Sequence, residues 1–436
     1  MAKIVEIVTI NNLIPIFKDG IQANAIEVAK FNFENGDECG FNVIAQKGLY
    51  EIGSKAIYIQ PDYCLSENEL FSSFISPGGD AKKSRLGKGN RIRAIKFNFN
   101  FDGSLDPIYS NGILLPLDEV ESFLVDKSLC DGIQNENLQE LLCITKYVAV
   151  DKTDNNKSGL TKGDLPDFLY ATDETRIENI KGHVNSVFCE NEEISFTLKH
   201  DGSSTTIYVK FEDDLLQGIC SRNKEKFLEQ EMTTNYIDDD GVHLHRYTMK
   251  NDDVYTKGWI NDVSGKFYTD LEVNELSLLP ITVEVRDNFV DTIKKHNYLE
   301  KLKKYCIDNN VQLALRGELV GNGGSKGSGN KLNNDVKGDS KVIWFGVDDL
   351  QFGKAHRLNY SSLHNLKSIC EELEFEYTKP IFVGKLDYDG IIKMGNDIFS
   401  EYKEKYNHIV EGIVIRTTNS NKLSCKYLNL EYDSKH

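Results

Sequence analysis

No run of about eighteen apolar residues occurs anywhere in the chain, so no membrane-spanning helix is expected. The opening MAKIVEIVTINNLIPIF lacks the basic start, apolar centre and small-residue cleavage site of a secretory leader, and none is expected. Cysteine pairs are missing too. The nine cysteines stand singly at positions 39, 64, 130, 143, 189, 220, 306, 370 and 425, with no C-x-x-C among them. This excludes a disulfide framework and a thiolate zinc site, and it fits a reducing cytoplasm. The glycine-rich stretch GNGGSKGSGN (321–330) contains neither G-x-x-x-x-G-K-[ST] nor G-x-G-x-x-G, so it reads as a flexible loop near substrate. His243 and His245 share a strand face, but no third metal ligand accompanies them.

An excess of basic residues is also absent. Lys and Arg number 51 against 68 Asp and Glu, a net charge of −17. That average argues against nucleic acid, which usually meets a basic surface. The distribution argues otherwise. Between residues 82 and 96 stand Lys82, Lys83, Arg85, Lys88, Arg91, Arg93 and Lys96 with no acid among them. Much of the acidity sits in EDD (212–214), DDD (238–240) and NDD (251–253), which read as solvated surface. A basic stripe on an acidic body can hold phosphates. Lys82, Lys83, Arg85, Lys88, Arg91 and Arg93 are the candidate nucleic-acid contacts.

At 436 residues, 40% hydrophobic and 27% charged, the chain has the composition of a globular protein of two or three domains. Residues 1–125 carry short β-branched or aromatic runs (IVEIVTI, AIEVAKF, CGFNVIA, KAIYIQ, RIRAIKF, GILLPL) separated by Gly, Asn and Asp, the spacing of a small closed β-barrel. Residues 126–182 are mostly polar, with one helical candidate (NENLQELLCITKY) and the flexible DKTDNNKSGLTKGDLPD, and read as a linker. Residues 183–436 mix strands (ISFTLK, STTIYVKF, ITVEVRD, VQLALRGELV, KVIWFGV, EGIVIRT) with two helices. In DTIKKHNYLEKLKKYC the apolar stripe is Ile293, Leu299, Leu302 and Cys306; in SSLHNLKSICEELEF it is Leu363, Leu366, Ile369, Cys370 and Leu373. Both stripes are core packing. The class is α+β.

The chemistry starts at Lys199-His200-Asp201-Gly202. In ISFTLK the apolar Ile194, Phe196 and Leu198 alternate with Ser195, Thr197 and Lys199, so Lys199 ends a polar face. HDG reads as a turn and STTIYVKF as the return strand, which would place the lysine at a hairpin mouth. A lone K-x-D-G recurs by chance. Here it is followed in order by Arg222 in SRN, Glu318 in LRGELVGNG, Phe345 beside Trp344 in KVIWFGVDDL, Glu411 in EGIVIRT and Lys426 in SCKYLNLEY.

These residue types suit nucleotidyl transfer. A nucleophilic lysine must be neutral, and at a pKa of ~10.4 only about 0.1% is neutral near pH 7.4. Lowering it by ~2–3 units takes ~3–4 kcal/mol, which a second cation such as Lys426 and a divalent metal can supply. Arg222 and Lys426 can steady phosphate charge. Asp201, Glu318 and Glu411 offer the oxygen ligands that hard cations take. Phe345 can stack on a base.

In order and spacing the motifs resemble the covalent nucleotidyltransferases, which include polynucleotide ligases and capping enzymes. The chain order narrows the resemblance to RNA ligase family five, ligases with an N-terminal OB-fold and a C-terminal adenylyltransferase domain of antiparallel sheets flanked by helices. QKGLYEIGSKAIYIQPDYCLSENELF, RIRAIK and SNGILLPL resemble the first domain; TLKHDGSSTTIY, RGELVGNG, WFGVDDL, EGIVIRT and SCKYLNLEY resemble the second. Residues 126–182 and 224–280 are least covered. The resemblance implies that ATP adenylylates Lys199, with Thr197, Leu198, Gly202, Arg222, Glu318, Phe345, Glu411 and Lys426 around the nucleotide. It implies Mg2+ or Mn2+ on Asp201, Glu318 and Glu411. The substrate would be RNA or an RNA-containing duplex with 3′-OH and 5′-phosphate ends, sealed in nick or break repair by a monomer with no membrane partner.

Three positions depart from the pattern. Leu198 stands where relatives commonly carry glutamate, Ser424 where some carry another lysine, and Cys425 where an aromatic is usual. DNA ligases and capping enzymes usually carry an OB domain after the last lysine motif, and here ten residues follow Lys426. A polynucleotide-binding protein with a dead site would have lost the nucleophile or a glutamate, and both are present.

Overall fold

The computed structural model describes residues 4–126, 134, 137–147, 161–212, 214–228, 232–237, 243–251, 254–261, 263–269, 272, 279–283, 287–321 and 338–435. The stretch 148–160, the aspartates at 238–240, residues 252–253, and 322–330 of the glycine-rich loop lie outside them, as do the side chains of His243 and His245. The architecture is mixed α and β, with antiparallel sheets dominating.

Near the N-terminus a five-stranded antiparallel sheet runs Ile113–Pro116, Lys55–Ile59, Val5–Ile14, Ile26–Asn32, Val43–Gln46. A register shift between Ile10 and Asn12 inserts a bulge, which bends the long first strand and curls the sheet toward a barrel. The Lys55–Ile59 strand is covered on both faces. Ala56 and Tyr58 pack with Val8, Phe31 and Leu114, while Ile57 and Ile59 pack with Val120 and Leu124 of the Leu117–Asp126 helix. Period-two alternation thus feeds two cores from one strand.

Most of the remainder is built on two facing sheets. The seven-stranded sheet is ordered Thr161–Asp164, Lys224–Lys226, Leu215–Cys220, Ser203–Phe211, Leu313–Val320, Lys341–Asp349, His356–Arg357. Its outer face buries Ile207, Val209, Leu313, Leu315 and Trp344 under helices Asn288–Lys295, Tyr298–Asn309 and Leu366–Leu373. Trp344 is fully buried, and truncating such a side chain costs about 3–5 kcal/mol. The five-stranded sheet is ordered Thr175–Arg176, Ser424–Leu428, Gly412–Thr417, Ile194–Lys199, Phe382–Gly384. Its outer face buries Phe196, Ile413, Ile415 and Tyr427 against helices Lys181–Cys189 and Tyr388–Tyr406. Asp387 caps the start of the second helix by accepting from Gly390 N, and left-handed Asn407 ends it.

Three expectations change. The helix read across 291–306 is two, because Asn297 adopts φ 55 and breaks it between Lys295 and Tyr298. Leu363 is 84% exposed, since Asn365 caps a helix that begins only at Leu366. Residues 232–283 contribute a further antiparallel sheet, of which the sequence reading marked only ITVEVRD and the strand face of His243 and His245: Phe267–Thr269, Val254–Asn261, His243–Asn251, Met232–Ile237, Leu279–Val283. Among the described residues no helix is long and apolar enough to cross a membrane.

Candidate active site

The expected hairpin at Lys199 does not form. The Ile194–Lys199 strand pairs with Gly412–Thr417 on one side and Phe382–Gly384 on the other, so both its edges are taken. Ser203–Phe211 pairs instead with Leu215–Cys220 and Leu313–Val320 in the other sheet. His200–Gly202 is therefore the crossing from one sheet to its neighbour. Gly202 makes the crossing possible, because a Cβ there would lie 2.4 Å from Leu319 O and 2.9 Å from Glu318 Cγ. Lys199 consequently sits at the seam where the polar faces of the two sheets meet.

At this seam Lys199 Nζ donates to Glu411 Oε1 at 2.6 Å. Glu411 directly precedes the strand that pairs with the lysine strand, and Gly412 is opposite Lys199. Glu318 projects from Leu313–Val320, opposite Ser204, and Asp201 from the crossing; both act on Lys199 electrostatically. Burial works against the Lys199 ammonium, but the pull of Glu411, Glu318 and Asp201 outweighs it, and its pKa is raised. The sequence reading expected neighbours that lower it. What the structure adds is the crowd of carboxylates. Burial, together with Glu411 and Asp201, pushes the Glu318 carboxyl up to about 8 against the opposing pull of Lys199 and Arg222.

Lys426 stands on Ser424–Leu428, across from Val414, on the same polar face as Lys199 and Thr197. Its Nζ lies 3.3 Å from Asp173 and 3.9 Å from Asp62, a residue of the N-terminal sheet region. Burial lowers the Lys426 pKa, with Arg176 and Lys199 adding to the effect and the two aspartates opposing it. Asp173 also pairs with Lys146 and, at 3.6 Å, with Arg222. Asp62 accepts from Arg91 at 2.6 Å and from Arg176 at 2.9 Å, and Arg176 makes a buried two-pronged pair with Asp433 at 3.0 and 3.2 Å. Sequence reasoning missed Asp62, Asp173, Arg176 and Asp433. No local motif marks them, and only the packing of distant segments brings them to Lys426.

Phe345 sits at a bulge. Arg316 pairs with Gly346 and Gly317 with Trp344, which leaves Phe345 without an opposite residue. The extra residue turns its ring out of the core that takes Trp344. The Phe345 carbonyl accepts from Arg416 Nη1 at 2.9 Å, and the Arg416 guanidinium lies 6.0 Å from the ring centroid. Phe345, Tyr170, Glu174, Arg357, Arg416 and Ser424 line a groove of about 440 Å³ between the sheets. Lys199 does not line it; with Leu198, Asp201, Glu411 and Tyr432 it lines a separate, smaller hollow. Arg416 is in register with Ser195, so the groove opens four residues, about 13 Å, up the strand from Lys199.

The basic segment divides. Lys82, Lys83, Arg85 and Lys88 are exposed. Arg91 turns inward to Asp62 and stacks over Tyr147 at 4.9 Å, and Arg93 donates to the Ser434 carbonyl at 3.4 Å.

No family model matches the chain, and no curated protein does. Solved structures of an RNA ligase from Naegleria gruberi do resemble it. A lysine-to-methionine mutant with AMP and Mn is 20% identical with a TM-score of 0.62, over 99% of this chain and 98% of that one. A glutamate-to-alanine mutant with ATP and Mn and a form with PPi are each 19% identical with a TM-score of 0.62, over 100% of this chain and 99% of theirs. At this identity the likeness is one of fold, and it runs end to end.

Proposed function

We propose that the chain is an ATP-dependent RNA ligase of family-five type that seals 3′-OH to 5′-phosphate ends through a lysyl-AMP intermediate. The observation that carries the reading is Lys199 at the end of its strand, inside a crowd of Glu411, Glu318 and Asp201 and within electrostatic range of Lys426. The N-terminal curled sheet is then the OB-type domain, and the facing sheets form the adenylyltransferase. The fold likeness extends to proteins solved with ATP, AMP, PPi and Mn, and this agrees with the assignment.

In this mechanism the neutral Lys199 amine attacks the α-phosphorus of ATP. A nitrogen–phosphorus bond forms, the bond to the β-phosphate oxygen breaks, and pyrophosphate leaves. AMP then passes to an RNA 5′-phosphate, and a 3′-OH displaces it. Charge gathering on the phosphate oxygens is met by Lys426, held beforehand by Asp173, while Arg222, at 3.6 Å from the same aspartate, binds the phosphates in ground state and transition state alike. Phe345, turned outward by its bulge, offers adenine a stacking face, and Thr197 and Leu198 border the nucleotide on the lysine strand.

The donor set at Lys199 fits a hard divalent ion, because three carboxyl groups share one ammonium and all donors are oxygen. Among the described residues no three His, Cys, Asp or Glu side chains form a ready cage. Mg2+ or Mn2+ held there would take the rest of its shell from phosphate oxygens and water. Bound by Glu318, Glu411 and Asp201, such an ion would supply positive charge near the phosphates and offset the carboxylate pull on Lys199.

The test is covalent labelling. Purified protein is stripped of bound AMP with pyrophosphate, incubated with α-labelled ATP and Mg2+ or Mn2+, and run on a denaturing gel beside Lys199→Ala. Label on the wild type, missing from the variant and not matched by GTP, is the expected result. An unlabelled wild type under both metals overturns the reading.

A further inference from the structure

We infer that Asp62, from the N-terminal sheet region, is a positioning residue for nucleotidyl transfer: it sets Lys426 and Arg176 at the site across the domain boundary. The inference rests on the ligase reading above. Its ground is one carboxylate shared by three cations. Asp62 Oδ1 accepts from Arg91 at 2.6 Å, and Oδ2 accepts from Arg176 Nε at 2.9 Å and lies 3.9 Å from Lys426 Nζ. Arg176 is the register partner of Lys426 on the neighbouring parallel strand, so fixing its guanidinium fixes the flank of the lysine.

The backbone that carries Asp62 is itself held. Its N–H donates to the Ile92 carbonyl at 2.9 Å, and its own carbonyl accepts from Tyr147 N at 3.0 Å. Its φ is 72°, the left-handed region that aspartate enters more readily than most side chains. A turn residue tethered at both backbone groups and delivering one carboxylate to three cations makes sense as a fixed anchor. The surrounding cations hold the carboxyl well below its ordinary range despite burial, so it stays charged throughout the working pH range. Other contacts cross the same boundary without reaching Lys426. Lys181 donates to Glu38 at 2.6 Å, and Asn179 donates to Gln60 at 3.0 Å. Docking therefore does not depend on Asp62 alone.

The experiment is single-turnover lysyl-AMP formation with labelled ATP in the full chain, comparing wild type, Asp62→Asn and Glu38→Gln. Damage to folding lowers the amplitude, which counts active molecules. Misplacement of Lys426 lowers the rate constant. Asp62→Asn should slow the rate constant about 10–100-fold, the range for residues that orient a site from behind, with its amplitude kept. Glu38→Gln should stay within about twofold of wild type. Equal slowing in both variants, or an unchanged rate in Asp62→Asn, overturns the inference and leaves the ligase reading standing. A loss of amplitude alone also overturns it, since that is the mark of a structural role. A wild type that never labels removes both.

Discussion

At the Lys199 end of the seam three carboxyl groups, Glu411, Glu318 and Asp201, surround one ammonium. At the Lys426 end five cations, Arg91, Lys146, Arg176, Arg222 and Lys426, are ion-paired with three aspartates, Asp62, Asp173 and Asp433. One end has an excess of negative charge and the other an excess of positive charge. Polyphosphate with its metal carries the same two signs in one ligand. The difference teaches where each part would lie: cation toward Glu318 and Glu411, phosphates toward Lys426 and Arg222. It also shows why Lys199 belongs at the negative end. There its charge state depends on how many carboxylates remain uncompensated.

The two ends differ in origin as well, and this decides how much of the site was legible in the sequence. Lys199, Glu318 and Glu411 each end or occupy a strand whose apolar alternation is local, so pattern and chain order pointed to them. Chain order pointed to Lys426 as well. Its partners were not legible, because ion pairs leave no periodicity: Asp62 lies 114 residues from Arg176, and Asp433 lies 257 residues from it. The false hairpin has a related cause. Two alternating strands joined by HDG look the same whether they pair with each other or with separate sheets, and only the long-range partners Gly412–Thr417 and Leu313–Val320 decide. The mixed α and β character was readable, and so were the core stripes apart from Leu363 and the break at Asn297. Of the inserted sheet at 232–283 only ITVEVRD and the strand of His243 and His245 were readable, since the rest lies in a polar stretch.

The sharpest way to break the comparison is at the negative end. Glu318→Gln removes a carboxyl that can ionise onto a cation, with little change of shape, and lysyl-AMP formation should fall about 10²–10³-fold, ~3–4 kcal/mol of barrier. Saturating ATP should not recover it, while raised Mn2+ should recover part. Single-turnover kinetics across metal concentrations measure this. A loss fully cured by ATP would move Glu318 from the metal side to nucleotide binding and undo the assignment of ends.

Behind the positive end lies Glu178, 4% exposed, with no partner for Oε2 among the described residues. Burial pushes its carboxyl up to about 7, against the pull of Arg176. The native state therefore holds this proton more tightly than the unfolded chain does. The stability it contributes is complete below the unfolded value near 4.5 and is lost as pH rises through about 7, a swing of about 3 kcal/mol. Glu178→Gln should remove that swing. Urea unfolding of both proteins at pH 5 and pH 8 checks it, and parallel pH dependence in the two would show that Glu178 is ionised in the fold.

Arg222 offers a smaller effect with the opposite signature to Glu318. It is half-exposed and reaches Asp173 at 3.6 Å, so it can leave that pair for an incoming phosphate. Arg222→Ala should raise KM for ATP about tenfold, ~1.4 kcal/mol, with kcat changed less. If kcat fell instead and KM held, Arg222 would be acting on the transition state alone, and the positive end would be more than a docking place for phosphates.

The smallest effect is expected furthest from the seam, and it asks whether the positive end continues outward along the basic segment. Lys82, Lys83 and Lys88 are exposed, whereas Arg91 is committed to Asp62 and Arg93 to the Ser434 carbonyl. Counting all six basic residues as strand contacts would therefore overstate the electrostatic share of RNA binding. Converting Lys82, Lys83 and Lys88 together to alanine should leave lysyl-AMP formation untouched. It should lower the slope of log K against log salt for a single-stranded RNA by about 2, since each phosphate contact contributes about 0.7. A slope unchanged within error would mean that the positive charge ends at Arg91 and serves the domain boundary. The strand would then have to be held by the facing sheets themselves.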